Sequence, residues 1–331
     1  MSRDPSFYLS RLKSLHSTLR AHLRTMSSTV GSSTMSTLAP SHEGDTQYGI
    51  DASIESLMLD ECRKWAEETP FVLIAEGFEG DGWHILPEGT DLNRAEFMLI
   101  IDPVDGTRQI MYDKRSAWIL SGIAPNLGHE TTMEHIVIAV QTEIPTTRQA
   151  QSYQSWAVKS QGARSDIHDL QTGESRAVSI APSKAAGVEH GFASFAKFFP
   201  AGKDRIAELE TRLWKEVVEP DPRGNPMVFE DQYMASGGQL FELASGRDRF
   251  VADLRPWAFR DLHKDRRPLC CHPYDVCTEL IAREYGAIVT DLEGKPLASP
   301  LDVRHDVGWI GYANESIRQQ IEPTLLRLLW G

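Results

Sequence analysis

The sequence predicts an α/β fold, because two kinds of apolar segment alternate along it. Helix-period stripes such as Ile50, Ile54, Leu57, Met58 and Trp65 are followed by strand-sized runs such as 71–75 and 97–101. The third observation is bulk composition: 331 residues, 41% hydrophobic and 24% charged, which is ordinary for a globular chain and enough for one large core or two joined ones. No window approaches the run of about 20 apolar residues that a membrane helix needs, so a soluble chain with no membrane partner is expected. The balance of 34 Lys+Arg against 47 Asp+Glu, a net charge of -13, argues against nucleic-acid binding and means that a small anionic substrate would need local cations. Cys62, Cys270, Cys271 and Cys277 lack CxxC spacing and are few for the length, which points to a reducing compartment and a cytoplasmic location.

Taken in order, Leu12, Leu15, Leu19 and Leu23 form a helical stripe, read as an amphipathic first helix packed on the body. Five Lys/Arg before residue 25 against the single acid Asp4 also resemble a transit peptide, which makes an organellar location the alternative. Residues 26–41 are rich in Ser and Thr and read as a loop or flap. A helix is expected over 51–67, closed by Pro70, with Asp51 and Glu55 on one face near its start, where acids complement the helix dipole. The strand 71–75 ends in Glu76, and the strand at 97–101 runs into Asp102. Strands follow at 117–124, 136–142 and 153–159, then a helix at 201–218. The segment SGGQLFELASGRDRFVADL predicts a helix over 239–244, a stop at Gly246 and a strand through Val251, with Gly237 and Gly238 allowing close packing. Val276, Leu280 and Ile281 place a helix after Asp275, whose local role is then an N-cap.

The chemistry concentrates in LIIDPVDGT, residues 99–107, where an apolar run ends in two acids separated by a proline and a valine. Pro103 biases Asp102 toward extended geometry, so the strand is expected to end sharply and present Asp102 outward. Gly106 permits a tight turn and close approach of a ligand, and the turn that follows offers N–H groups suited to phosphate. Clustered carboxylates repel unless protonated or bridged by a divalent ion, and hard oxygen ligands at a chain reversal favour Mg²⁺.

IDPVDGT resembles the signature of the inositol monophosphatase family, part of the Mg²⁺-dependent, lithium-sensitive phosphatases that include fructose-1,6-bisphosphatase and the 3′-phosphoadenosine phosphatases. Other landmarks follow the same order: the acid-x-x-x-acid helix at Asp51 to Glu55, the acid in IAEG, and HPYDVCTELIAREYGAIVTDLEGKPL, where Tyr274 stands for the family's Trp. The resemblance spans roughly residues 7 to 312 and implies a layered α/β/α/β/α sandwich, an α/β (α+β) fold. It implies one phosphatase unit of two tightly joined halves, about 1–180 and 181–331, the second supplying Asp275. The implied site has Glu76, Asp102 and the Val104 carbonyl on a first metal, with Asp102 bridging to a second that Asp105 and Asp275 complete. It further implies two or three Mg²⁺ ions, phosphate on the amides of Gly106 and Thr107, and water oriented by Thr107 and Asp51 beside Glu76. The implied reaction is direct hydrolysis of a small phosphorylated metabolite by a homodimer inhibited by lithium.

Departures from the pattern bear on the substrate. Gly77 replaces the family's second glutamate, and Arg108-Gln109-Ile110 replaces its T-N-F, so Arg108 is a candidate substrate-binding residue. The connection from Glu76 to Asp102 is longer and Gly-rich. Between Asp253 and Asp275 an inserted segment carries Arg255, Arg260, His263, Lys264, Arg266 and Arg267; it reads either as a solvated surface loop whose cations balance Asp261 and Asp265 or as a grip on a second anion, for which Arg255, Arg266 and Arg267 are the candidates. His263 and His272 lack ligand spacing and are expected to face solvent. Inositol phosphates, sugar phosphates and 3′-phosphoadenosine nucleotides all fit; the alternative is a degenerate member that binds a phosphorylated metabolite or a protein without turnover.

Overall fold

The computed structural model describes residues 3–29, 49–78, 82–261 and 268–331. The leucine stripe forms helix α1 (Pro5–Thr29) and buries Tyr8, Leu12, Leu19 and Leu23 completely. Of the segment read as a loop, residues up to 29 continue α1 and residues 30–41 lie outside the described residues. Helix α2 (Gly49–Ala66) packs beside α1, and together they cover one face of the first sheet.

That sheet holds eight strands among the described residues, in the order β2-β1-β3-β4-β5-β6-β7-β8. They are β1 (Phe71–Ala75), β2 (Trp83–Leu86), β3 (Phe97–Asp105), β4 (Ala117–Pro125), β5 (Ile138–Ile144), β6 (Gln151–Val158), β7 (Ala163–Asp169) and β8 (Ser175–Val178). β1 and β3 are parallel, and the chain then winds antiparallel to β8. The long connection after Glu76 contributes β2, which pairs with the outer edge of β1. Alternation explains why β1 and β3 read as unbroken apolar runs. Phe71, Leu73, Phe97, Leu99 and Ile101 pack under α1 and α2, whereas Val72, Ile74, Met98 and Ile100 face the second half of the molecule. Both faces are covered.

The second sheet, order β10-β9-β11-β13-β12, is made of β9 (Gly191–Phe195), β10 (Val228–Phe229), β11 (Asp248–Asp253), β12 (Ile288–Thr290) and β13 (Trp309–Tyr312). Between the two sheets lie α5 (Ser236–Ala244) and α8 (Glu279–Tyr285), which contact strands of both. Beyond the second sheet lie α4 (Lys203–Val217) and α9 (Glu315–Trp330). Short helices are α3 (Thr107–Met111), α6 (Arg255–Ala258) and α7 (Pro273–Val276). The layers therefore run α/β/α/β/α.

One polar patch interrupts the packing of α1. His16 is fully buried, with Nε2 2.8 Å from Ser121 Oγ and Nδ1 3.0 Å from Thr142 Oγ1. Burial, assisted by the charge of Arg20, pushes its pKa down to about 3, so it is held as the neutral ring. All four cysteines are free and buried, and among the described residues no helix is long and apolar enough to cross a membrane.

Candidate active site

β3 does not stop at Asp102. Extended backbone continues to Asp105, while pairing with β4 slips by one residue between Asp102↔Leu120 and Asp105↔Trp118. Pro103 has no N–H to offer the ladder, so the bulge falls where pairing is interrupted. The expected outward Asp102 is thereby corrected: the bulge turns it inward, and it is 4% exposed. Its Oδ1 accepts the Val104 N–H at 2.9 Å, and the Thr107 hydroxyl donates to the Val104 carbonyl at 2.9 Å. Gly106 then reverses the chain at φ +93°, a left-handed conformation, with the Ala235 Cβ only 3.1 Å from where a side chain would begin.

Asp105 is held from across the molecule. It accepts the N–H groups of Ser236 at 3.2 Å and Gly237 at 2.7 Å, the first residues of α5, whose dipole favours a carboxylate there. α5 begins at Ser236 rather than 239. A Cβ at Gly237 would lie 2.4 Å from Leu120 Cδ2, so glycine is what lets this helix end reach Asp105. The GG pair was legible as close packing, but not its target.

Asp275 arrives from the second half on α7. It does not cap the helix that follows: Thr278 precedes α8, and Asp275 reaches back so that its Oδ2 accepts the His272 N–H at 2.6 Å. Proline at the start of α7 sets that single turn, which places the acid in its third position. His272 is not solvent-facing as expected. Its ring stacks on Tyr274 with centroids 5.2 Å apart, and Nδ1 is 3.0 Å from the tyrosine hydroxyl.

The three aspartates meet: oxygens of Asp102, Asp105 and Asp275 all lie within 4.8 Å of one another. Burial raises the Asp102 pKa well above the carboxylate range, and the charges of Asp105, Asp275 and Glu76 push the same way. Asp105 is also raised by burial and by Asp275, against the Gly237 and Ser236 N–H groups and Arg255, which favour its charged form. Glu76, Val104, Gly106, Thr107 and Arg108 border the same cleft. A buried set of hard oxygen donors with surplus negative charge fits a divalent cation, and Mg²⁺ in particular, which takes a few carboxylates and keeps waters.

Other expected residues are placed differently. Asp51 belongs to α2, but its side chain lies outside the described residues, as do His263, Lys264, Arg266 and Arg267. Arg255 borders the cleft, yet it is 5% exposed and its Nε sits 2.9 and 3.0 Å from the two oxygens of Asp253. Burial lowers its pKa, but the Asp253 charge and hydrogen bonds outweigh that and raise it. Arg255 therefore brings no surplus charge to the cleft. Glu55 gains a position not apparent from its spacing: its carboxylate lies 3.1–3.3 Å from where a Cβ of Gly77 would sit. Glycine at 77 leaves room for an acid delivered from α2, next to Glu76.

No family model matches the sequence, and no curated protein matches it. Solved structures do match over nearly the whole chain. The holo form of Leishmania major fructose-1,6-bisphosphatase superimposes with a TM-score of 0.66 at 14% identity, covering 97% of this chain and 92% of that one. A Pyrococcus horikoshii protein described as having similarities to inositol-1 monophosphatase gives 0.63 at 16% identity, over 98% of both chains. The IMPase of Thermotoga maritima gives 0.59 at 18% identity, over 98% and 97%. The chain has the fold of these proteins.

Proposed function

We propose that the chain is a Mg²⁺-dependent phosphomonoester hydrolase of the inositol monophosphatase and fructose-1,6-bisphosphatase type. The observation that carries this is the convergence of Asp102, Asp105 and Asp275 within 4.8 Å, in a buried cleft that Glu76 also borders. These four side chains, with the Val104 carbonyl, would hold the ions. Bound Mg²⁺ supplies charge neutralisation and makes water a usable nucleophile near neutral pH.

The chain's own groups do the rest. Asp102 is fixed by the Val104 N–H and Asp105 by the start of α5, so neither acid is free to swing away when a substrate arrives. Thr107, tied to the Val104 carbonyl, borders the same cleft, where its hydroxyl would orient the attacking water. The amides of Gly106 and Thr107 receive the phosphate. Arg108, at the cleft, adds positive charge for its oxygens.

The wall facing this site contains Phe198, Phe199, Met234 and Tyr274, and Asp253 is consumed by Arg255 rather than offered to substrate hydroxyls. This supports a phosphate ester whose alcohol part carries an apolar or ring surface over a bare polyol. A second reading, binding without turnover, draws on Gly77 in place of the second glutamate; the carboxylate of Glu55 beside it weakens that objection. Phosphate release from a panel of aryl, nucleoside, sugar and inositol phosphates with Mg²⁺, with and without Li⁺, tests the proposal. Expected are lithium-sensitive turnover, loss of it in Asp102→Asn, and a lower KM for ring-bearing esters. Substrate binding with no turnover across the panel would favour the second reading.

A further inference from the structure

Gln141 sits in the middle of β5, on the face shared with Ala139 and turned toward the second half of the molecule, while Val140 points the other way, under α1. It is 2% exposed, where an amide is tolerated only if its hydrogen bonds are met. Its Nε2 donates to the Gly237 carbonyl at 2.6 Å. The N–H of the same glycine donates to Asp105 Oδ2 at 2.7 Å, so both backbone groups of Gly237 are held from the first half. Packing alone gives the start of α5 little direction. Gly237 lies against Leu120, the register partner of Gln141 on β4, and a Cβ on Gly238 would lie 2.5 Å from the Tyr233 ring. That ring is itself fixed, its hydroxyl accepting from Trp118 Nε1 at 2.7 Å and donating to the Ser116 carbonyl at 2.9 Å. Two glycines permit close approach but offer no side chain to interlock, so the orientation of this turn is set by its directional hydrogen bonds.

We propose that Gln141 is a positioning residue for Asp105, resting on the metal-ligand role given to that acid under the proposed function. Gln141 is not among the residues that border the cleft, so its influence reaches the site through α5. Without the amide donor, Asp105 must hold the helix start instead of being held by it, and the Gly237 N–H is free to lengthen its bond as the carboxylate turns toward an ion. Partners of metal-ligating groups fix the direction of the ligand, and their loss costs about 10–100-fold in metal affinity.

Gln141→Met keeps the volume nearly constant and removes the donor. The control is Gln154→Met, which removes a bond of the same kind on the opposite face of the sheet, where the buried Gln154 donates to Thr142 Oγ1 at 3.0 Å. Two measurements are made on each full-length chain: hydrogen exchange at the Ser236 and Gly237 amides in chelator, and calorimetric titration with Mg²⁺. Expected in Gln141→Met are faster exchange at both amides and Mg²⁺ affinity about tenfold weaker, with Gln154→Met like the wild type in both. Unchanged exchange at those amides in Gln141→Met overturns the proposal whatever the metal result, as does an equal loss of Mg²⁺ affinity in Gln154→Met. Faster exchange in Gln141→Met beside a wild type that binds no Mg²⁺ overturns the role toward a ligand together with the metal reading of the site, and so separates that failure from a failure of Gln141 to hold α5.

Discussion

Neutralising one carboxylate of the cluster should make the metal-free chain more stable, the reverse of what most substitutions at a buried site do. At the 4.8 Å within which the oxygens of Asp102, Asp105 and Asp275 lie, two unit charges repel by about 3.5 kcal/mol at an effective dielectric of about 20. Asp102 faces two such partners, but partial protonation caps the second, so about 3 kcal/mol is the relief to expect from Asp102→Asn. Asparagine keeps an oxygen to accept the Val104 N–H, so little is lost locally. In a chain of this size that is roughly a 5 °C rise in Tm, read by scanning calorimetry in chelator at pH 8. The pH dependence has a defined direction. Burial and like charge raise the folded-state pKa of Asp102 and Asp105 above the unfolded value, so between the two values the folded chain holds more protons. Stability of the metal-free wild type therefore falls as pH rises through that window, and its gap from Asp102→Asn narrows toward pH 5. Excess Mg²⁺ should reverse the order, because a ligand bound only by the folded wild type stabilises it alone. A variant less stable than the wild type in chelator at pH 8, or a gap independent of pH, would refute the picture of uncompensated buried charge.

Three further substitutions test other parts of the structure. His16 is neutral in the fold with its pKa pushed down to about 3, so below the unfolded value of 6.5 the unfolded chain takes up the extra proton, costing about 1.4 kcal/mol per pH unit; denaturant titrations at pH 7 and pH 5 should show that slope in the wild type and its loss in His16→Gln. Glu55→Gln should leave the fold intact and weaken Mg²⁺ binding about tenfold by calorimetry, as expected for removal of a supporting acid beside a metal ligand. Arg255→Met should strand the fully buried Asp253 without its partner and destabilise the chain by about 3–5 kcal/mol in denaturant unfolding.

The parts of this architecture that are legible in the sequence are those set by local periodicity. α1 follows from four leucines at helical spacing, and β1 and β3 from apolar runs of strand length. The acids Glu76 and Asp102 are readable because each follows such a run, and Asp105 because DPVDG sets a second acid three residues further on. What is not legible depends on contacts between distant segments. The bulge that buries Asp102 needs β4 beside it, since Pro103 alone is equally compatible with a strand that simply ends. The docking of α5 onto Asp105 joins positions 131 and 132 residues apart, and Gly237 shows only that something comes close. Arg255 looks like free positive charge in the sequence because its spacing from Asp253 carries no sign that both side chains turn inward together. Asp275 looks like a cap for the following helix, whereas the proline before it makes a separate turn that Asp275 itself closes.

The claim on which the rest depends is that Asp102, Asp105 and Asp275 form a divalent-metal centre. Calorimetric titration of the full-length protein with Mg²⁺ addresses it directly, whichever phosphate ester is the substrate. At least two ions per chain in the wild type, with Asp102→Asn losing both, is the predicted result. An absence of Mg²⁺ binding in the wild type, or equal binding in the variant, would contradict it.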